Sequence, residues 1–278
     1  MQLKNAIKEQ FFIIDIFYCA MYILQITKQG ENIMAFQNRT AVITGAAGRI
    51  GSAAAREFAR RGVKLFLTDI DTEKLQLLTA ELQAMNAVAH SFYMDVSKSE
   101  SIQDASEEIL RLAGRVDILV NNAGLWPRGS ALECSLEDFQ KILNLNLNSV
   151  FQLSRIFGEK MKNQSYGRII NLGSIAGEVG LPGMCAYSVA KAGVIMLTKT
   201  MAMELAKCSV TVNCVSPGMI QDESRPHTGT WLGRSGIGSE VARAIVFLAD
   251  DDAGYITGVD LPVDGGRILG PLNVTFKG

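Results

Sequence analysis

The sequence predicts an α/β fold: a single domain in which a parallel sheet is covered by helices on both faces. Three observations point to it. Strand-like apolar runs alternate with helical stretches along most of the chain. A glycine-rich turn follows the first of those runs, and polar residues collect where several of the other runs end. Strand–helix repetition at this spacing leaves little choice but a parallel sheet with crossover helices.

Taken in order, residues 39–44 read as a short buried strand and residues 50–59 as a helix start. Between them stands "TGAAGRIG", Thr44 to Gly51. Glycines at such a turn let the backbone bend sharply and approach a ligand. The following helix presents unpaired N–H groups and its positive dipole end, which suits a phosphate. A tight connection with no ligand is the competing reading of the turn taken alone. Further strands are expected at 64–68, 88–94, 117–120, 168–172, 210–215 and 259–263, and helices at 72–85, 99–112, 136–161, 189–206 and 239–249. The run Ser97-Lys98-Ser99-Glu100 has the form of a capping box and predicts a helix start there. No repeat, low-complexity tract or linker divides the chain after Met34.

Composition narrows the function. With 278 residues, 48% hydrophobic and 20% charged, the chain can bury one large core. A net charge of −1 without a long basic run argues against nucleic acid or an anionic membrane surface as partner. Small molecules and further copies of the chain are the expected partners. The five cysteines have no paired CxxC spacing, so neither a disulfide framework nor a zinc site is expected, and a reducing cytoplasm fits best.

Residues 1–33 stand apart as an N-terminal extension, with the working domain at 34–278. Residues 11–24 are apolar but short for a membrane span and interrupted by Asp15, while Lys4 and Lys8 precede them. Three readings stay open: an over-long start with the working chain beginning at Met34, an interfacial or partner-binding helix, and a targeting segment.

The polar residues at strand ends carry the functional argument. Asp69 follows the second strand, where an acid can accept hydrogen bonds from both ribose hydroxyls of a dinucleotide. Asp95 follows the third, and Asn121-Asn122-Ala123-Gly124 the fourth. Singly, each also reads as a turn residue or helix cap. Ser174 ends a later strand, and Tyr187 and Lys191 share one face of a helix at i, i+4 spacing. A lysine ammonium beside a tyrosine favours the phenolate, and a nearby serine can hold a carbonyl or alcohol oxygen while the tyrosine exchanges its proton. Taken in isolation, a YxxxK reads first as a packed tyrosine and a solvated surface lysine.

Together, "TGAAGRIG", Asp69, "NNAG", Asn146-Leu147-Asn148-Ser149-Val150-Phe151, Ser174, "YSVAK" and Ser216-Pro217-Gly218 resemble the classical short-chain dehydrogenase/reductases in order and spacing, over about residues 36 to 266. That resemblance implies a Rossmann-type, doubly wound three-layer α/β/α domain with seven parallel strands, usually a homotetramer or homodimer. Its members move hydride between NAD(P) and an alcohol or carbonyl carbon, without a metal. It further implies Tyr187 as acid/base, Ser174 as ligand of the substrate oxygen, Lys191 as ribose anchor and modifier of the tyrosine, and Asn146 as a helix-bend residue supporting a proton relay. By the same resemblance Gly45, Arg49, Ile50, Gly51, Asp69, Asp95, Val96, Asn122, Ala123, Gly124, Pro217, Gly218 and Ile220 surround the cofactor.

Two departures from the family pattern stand out. Arg49 occupies the place of the middle glycine of TGxxxGxG, as it does in pteridine-reducing relatives, and Asp222 replaces a threonine common after Pro217-Gly218. The lid before Leu232 is short.

The expected activity is NAD(H)-dependent oxidation of an alcohol or reduction of a ketone. The alternatives are a 3-oxoacyl-[acyl-carrier-protein] reductase using NADPH and a nucleotide-sensing scaffold without turnover. Asp69 disfavours NADP by facing its 2′-phosphate, and Arg49 is expected to offset part of that, leaving a preference for NAD of roughly a hundredfold. Trp126, Leu181, Met184 and Met219 are expected to line an apolar pocket, and Arg128, Arg225 and His227 to be available to an acidic group.

Overall fold

The computed structural model describes residue 36 and residues 38–270. The extension 1–33 lies outside the described residues. Seven parallel strands form one sheet in the order β3-β2-β1-β4-β5-β6-β9. They are β1 (Thr40–Thr44), β2 (Lys64–Asp69), β3 (Ala89–Tyr93), β4 (Ile118–Asn121), β5 (Gly167–Leu172), β6 (Val210–Pro217) and β9 (Asp260–Val263). The strand order reverses between β1 and β4, which opens a crevice at their carboxyl ends. A separate two-stranded ribbon, β7 (Ile220–Gln221) with β8 (Gly236–Ile237), braces the lid and had no signal in the sequence.

The helices are α1 (Arg49–Ala59), α2 (Thr72–Ala84), α3 (Ser99–Ala113), α4 (Leu136–Leu143), α5 (Ser149–Gln164), α6 (Ile175–Glu178), α7 (Cys185–Leu205) and α8 (Gly238–Ala249). Successive strand side chains point to opposite faces, so each strand feeds two cores. Ala41, Ile43, Leu65 and Leu67 pack with Phe58 of α1, Leu75 of α2 and Ile245 of α8. Val42, Phe66 and Leu119 pack on the other face with Ile109 of α3, Phe157 of α5 and Ala202 of α7. Phe58, Phe66 and Phe157 are fully buried, each stabilising the fold by about 1.5–3 kcal/mol. Runs apolar on both faces are what a doubly covered parallel sheet requires.

Three local expectations are corrected. The stretch 136–161, read as one helix, is two: a π-helical turn, Asn144–Asn148, separates α4 from α5, which runs on to Gln164. The capping box at Ser97 does not form, because the Ser97 hydroxyl donates to Asp95 at 2.6 Å and Lys98 occupies the cap position without a side-chain bond. The helix read as 189–206 begins at Cys185, which puts Tyr187 in its first turn.

Candidate active site

A cavity of about 940 Å³ lies at the carboxyl ends of the strands. Gly45, Arg49, Ile50, Asp69, Asp95, Val96, Asn122, Ala123, Gly124, Asn146, Ser174, Tyr187, Lys191, Pro217, Gly218 and Ile220 all line it. Gly51 does not. A Cβ there would sit 2.3 Å from the Gly45 carbonyl oxygen and 2.8 Å from Ala46 Cα, so this glycine serves the packing of α1 against the turn.

The glycine turn is shaped by close approaches. Gly45 takes φ +61°, and a Cβ on it would lie 2.8 Å from Ala123 Cα. Thr44 Oγ1 accepts from the backbone N–H of Asn122 at 3.0 Å and of Ala123 at 3.1 Å, and the Asn122 amide donates to the Thr44 and Gly45 carbonyls, each at 2.9 Å. The ends of β1 and β4 are thereby tied together beneath the turn. Gly48 caps α1 without a side chain, and the first turn of α1 holds no acidic residue, so its N-terminal amides remain available to an anion.

At the end of β2 the Asp69 carboxylate accepts from the Ala47 N–H at 2.9 Å and the Asp71 N–H at 3.0 Å. It is fixed in orientation, with lone pairs left over. The neighbouring Lys74 is engaged by Asp71 at 2.7 Å. Asp95 at the end of β3 is held below the usual carboxylate range, chiefly by the hydrogen bond from the Ser97 hydroxyl.

Arg49 turns toward the lid. Its Nε and Nη2 donate to the two oxygens of Asp222 at 2.6 and 3.2 Å, and Nη1 donates to the Ile220 carbonyl at 3.1 Å. The two departures from the family pattern are partners of each other, joining the glycine turn to the segment after Pro217-Gly218.

Ser174 lies two residues after β5 and caps α6, its Oγ accepting from the Ala176 N–H at 3.1 Å. Burial pushes the Tyr187 phenol above its ordinary value, with the Ser174 hydroxyl pulling partly the other way. The expected lowering by Lys191 is therefore corrected: desolvation dominates. Lys191 itself is 4% exposed, donates to the Leu172 carbonyl at 2.7 Å and lies 5.7 Å from the centre of the Tyr187 ring. Burial lowers its pKa from 10.5 to about 8, weakly opposed by the Cys214 thiol. Asn146 sits in the π-helical turn, donating to the Ile142 carbonyl at 3.1 Å and accepting from the Leu125 N–H at 3.2 Å. A Cβ on Gly124 would lie 2.8 Å from its Oδ1, so this pair fixes the loop after β4.

Trp126, Leu181, Met184 and Met219 line the cavity, as do Arg128 and His227, whereas Arg225 does not. Arg267 also lines it and was missed by sequence reasoning. Its only signal is its place directly after Gly265-Gly266, beyond the last strand.

Geometry of this kind has close counterparts. The family model described as "Enoyl-(Acyl carrier protein) reductase" matches residues 45–267. The chain belongs to the short-chain dehydrogenase/reductase family. It is accordingly an oxidoreductase that acts on a CH–OH or keto group with a nicotinamide cofactor. Among similar proteins, "3-oxoacyl-[acyl-carrier-protein] reductase FabG" of Thermotoga maritima is 35% identical over 246 residues, covering 85% of this chain and all (100%) of that one. "(2S)-[(R)-hydroxy(phenyl)methyl]succinyl-CoA dehydrogenase subunit BbsD" of Thauera aromatica is 35% identical over 252 residues, 85% of this chain and 99% of that protein. The solved structure of an NAD+-bound xylitol dehydrogenase superposes with a TM-score of 0.79 at 30% identity, over 83% of this chain and 99% of that one.

Proposed function

We propose that this short-chain dehydrogenase/reductase interconverts a secondary alcohol and a ketone with NAD(H), through Ser174, Tyr187 and Lys191. The observation that carries the reading is that these three side chains face the same cavity as the glycine turn and Asp69. The turn fits a dinucleotide: capless α1 amides for the diphosphate, a backbone-held carboxylate for the ribose, and Pro217, Gly218 and Ile220 beside the nicotinamide. Bound there, the nicotinamide supplies or accepts the hydride.

The chain's own residues manage the oxygen and its proton. The Ser174 hydroxyl, whose oxygen is steadied by the Ala176 N–H, donates to the substrate oxygen. The Tyr187 hydroxyl gives a proton to that oxygen during reduction and removes it during oxidation. Its raised pKa keeps it a phenol at neutral pH, the form reduction needs. Lys191, pinned by the Leu172 carbonyl, reaches toward the ribose and steadies the phenolate when it forms. Asn146 positions the Gly124 loop, and a proton relay there would use backbone groups freed by the π-helical turn.

Asp69 at the ribose end favours NAD over NADP, because a 2′-phosphate would meet like charge there, whereas Asp71 is already engaged by Lys74. The name of the Thermotoga maritima relative favours a second reading, reduction of a 3-oxoacyl-carrier-protein thioester with NADPH. A panel of alcohols, ketones and 3-oxoacyl thioesters, followed at the nicotinamide absorbance with both cofactors in parallel, separates the two. Faster turnover of alcohols and ketones with NAD(H) supports the first reading, and NADPH with the thioester supports the second. For assembly, exposed Phe151 on α5 and Val189, Met196 and Met203 on α7 support a homodimeric or homotetrameric interface along these helices, to be checked by light scattering.

A further inference from the structure

The acids lining the cavity, Asp69, Asp71 and Asp95, stand at the ends of β2 and β3 or just beyond. At the other flank, after β9, the lining includes Arg267. Arg267 follows β9, five places from β2 in the strand order, or roughly 24 Å at the usual strand spacing. Its Nη1 donates to the Gly229 carbonyl at 2.6 Å. The nearest acid in sequence, Asp264, turns both oxygens to backbone instead, accepting from Gly266 at 2.8 Å and Ile268 at 2.9 Å. Among the described residues no carboxylate pairs with the Arg267 guanidinium.

His227 meets Arg267 over the same glycine. Its Nδ1 accepts from the Gly229 N–H at 3.0 Å, which leaves the ring proton on Nε2. A Cβ on Gly229 would lie 2.3 Å from Arg267 Nη1 and 2.5 Å from His227 Cε1, so glycine is what lets the two side chains converge. An arginine with donors to spare and an imidazole N–H, both on the wall of a cavity that Ser174 and Tyr187 also line, match an anion with two acceptor oxygens. Leu181, Met184 and Met219 add apolar lining that suits a short carbon chain, and Arg128 stands on the loop whose Gly129 N–H donates to the Gly183 carbonyl at 2.8 Å.

We propose that the substrate is a hydroxy or keto acid whose carboxylate, remote from the reacting carbon, is held by Arg267 and His227. This rests on the reading that Ser174 and Tyr187 hold the reacting oxygen. The test uses the full chain and NAD with secondary hydroxy acids of increasing chain length, their methyl esters and the matching phosphate monoesters. For the best chain length the free acid should exceed its ester in kcat/KM by about a hundredfold, a difference within reach of one charge-assisted pair. Arg267→Gln, which keeps a donor for the Gly229 carbonyl, should lower kcat/KM for the free acid by about a hundredfold and so bring that ratio close to one. Ester and acid turned over alike would overturn the carboxylate assignment and leave the Ser174–Tyr187 reading standing, and a preference for the phosphate monoesters would overturn it equally. If no compound is turned over, the alcohol-ketone reading fails. Calorimetric titration of succinate into the enzyme with NADH then decides the site: binding lost in Arg267→Gln supports it, and absent or unchanged binding refutes it.

Discussion

The two ends of the same sheet treat charge in opposite ways. At the amino-terminal end, Asp117 is fully buried and accepts from the Thr40 N–H at 2.9 Å and from Arg115, with Arg39 at 3.6 Å. Asp251 receives Arg39 at 2.8 Å, the Tyr166 hydroxyl at 2.6 Å and Arg168 at 3.3 Å, and both guanidinium groups lie over the Tyr166 ring. At the carboxyl end, among the described residues, buried Lys191 donates to one carbonyl and Arg267 pairs with no acid. Charge at one end closes on itself and holds the strands together. At the other, beside the closed pairs Arg49–Asp222 and Lys74–Asp71, the charges of Asp69, Lys191 and Arg267 are left open toward a ligand, so stability and activity should be separable by mutation.

The largest effect should come from Tyr187→Phe, which deletes the proton-exchanging hydroxyl: turnover down by about a thousandfold or more, with NAD affinity and melting temperature nearly unchanged. Turnover within tenfold of the parent would remove Tyr187 from the mechanism. The pH profile adds a sign. Because burial raises the phenol's pKa, ketone reduction should stay level through neutral pH and fall as pH climbs toward that value. Alcohol oxidation, which needs the phenolate, should rise by up to about tenfold per pH unit over the same range.

Asp117→Asn addresses the opposite end. It leaves Arg115 and Arg39 without their buried counter-charge, and should cost about 3 kcal/mol, or roughly 6–10 °C in melting temperature. The folded fraction should retain full kcat. A loss of kcat without a loss of stability would break the division between the two ends.

The open end was the legible one. Glycines, an acid after a strand, and Tyr and Lys at helical spacing are local patterns whose residue types are tied to their chemistry, so the residues lining this end of the cavity could be read from the chain. Strand positions were likewise legible because a doubly covered sheet demands apolar runs. The closed end was not, since Asp117 and Arg39, or Arg168 and Asp251, meet only through strand order. Arg267 and the Arg49–Asp222 pair escaped for the same reason. The π-helical turn escaped because it lies inside one long helical stretch, and its residues, Asn-Leu-Asn-Leu-Asn, include no glycine or proline to mark a break.

Asp69→Ala tests the acidic flank of the cavity. Removing the carboxylate should erase most of a roughly hundredfold preference for NAD, about 2.7 kcal/mol. Parallel kinetics with NAD and NADP give the ratio directly, and a parent enzyme that prefers NADP would displace Asp69 as the ribose acid.

Lys191→Met should abolish most activity and yet stabilise the fold. A lysine pKa lowered from 10.5 to about 8 means that folding disfavours the charged form, a penalty of about 3 kcal/mol at neutral pH that fades as pH rises past 8. Losing the bond to the Leu172 carbonyl returns about 1 kcal/mol. The net gain, about 2 kcal/mol at neutral pH, should raise the melting temperature by about 4–8 °C and shrink at alkaline pH. A variant that melts lower would mean that the buried lysine is structural.

The smallest effect on cofactor choice should come from Arg49→Ala, and here the structure reverses the expectation from sequence. A cation beside the glycine turn was expected to soften the repulsion of a 2′-phosphate, so that its removal would sharpen the preference for NAD. The guanidinium is instead engaged by both oxygens of Asp222 and the Ile220 carbonyl, while Asp69 is oriented by the Ala47 and Asp71 amides. An arginine neutralised by its own carboxylate has little field left for the ribose end. The NAD to NADP ratio should therefore change by less than about twofold, well within the scatter expected for a screened surface pair. What Arg49→Ala removes is a tether between the turn and the lid, so KM for either cofactor should rise a few-fold together. Asp222→Ala should do the same, and the double variant should be no worse than either single one, because both remove one interaction. A ratio that shifts tenfold toward NAD in Arg49→Ala but not in Asp222→Ala would show that the arginine acts on the phosphate itself, and the flank at Asp69 would then have to be counted as partly neutralised.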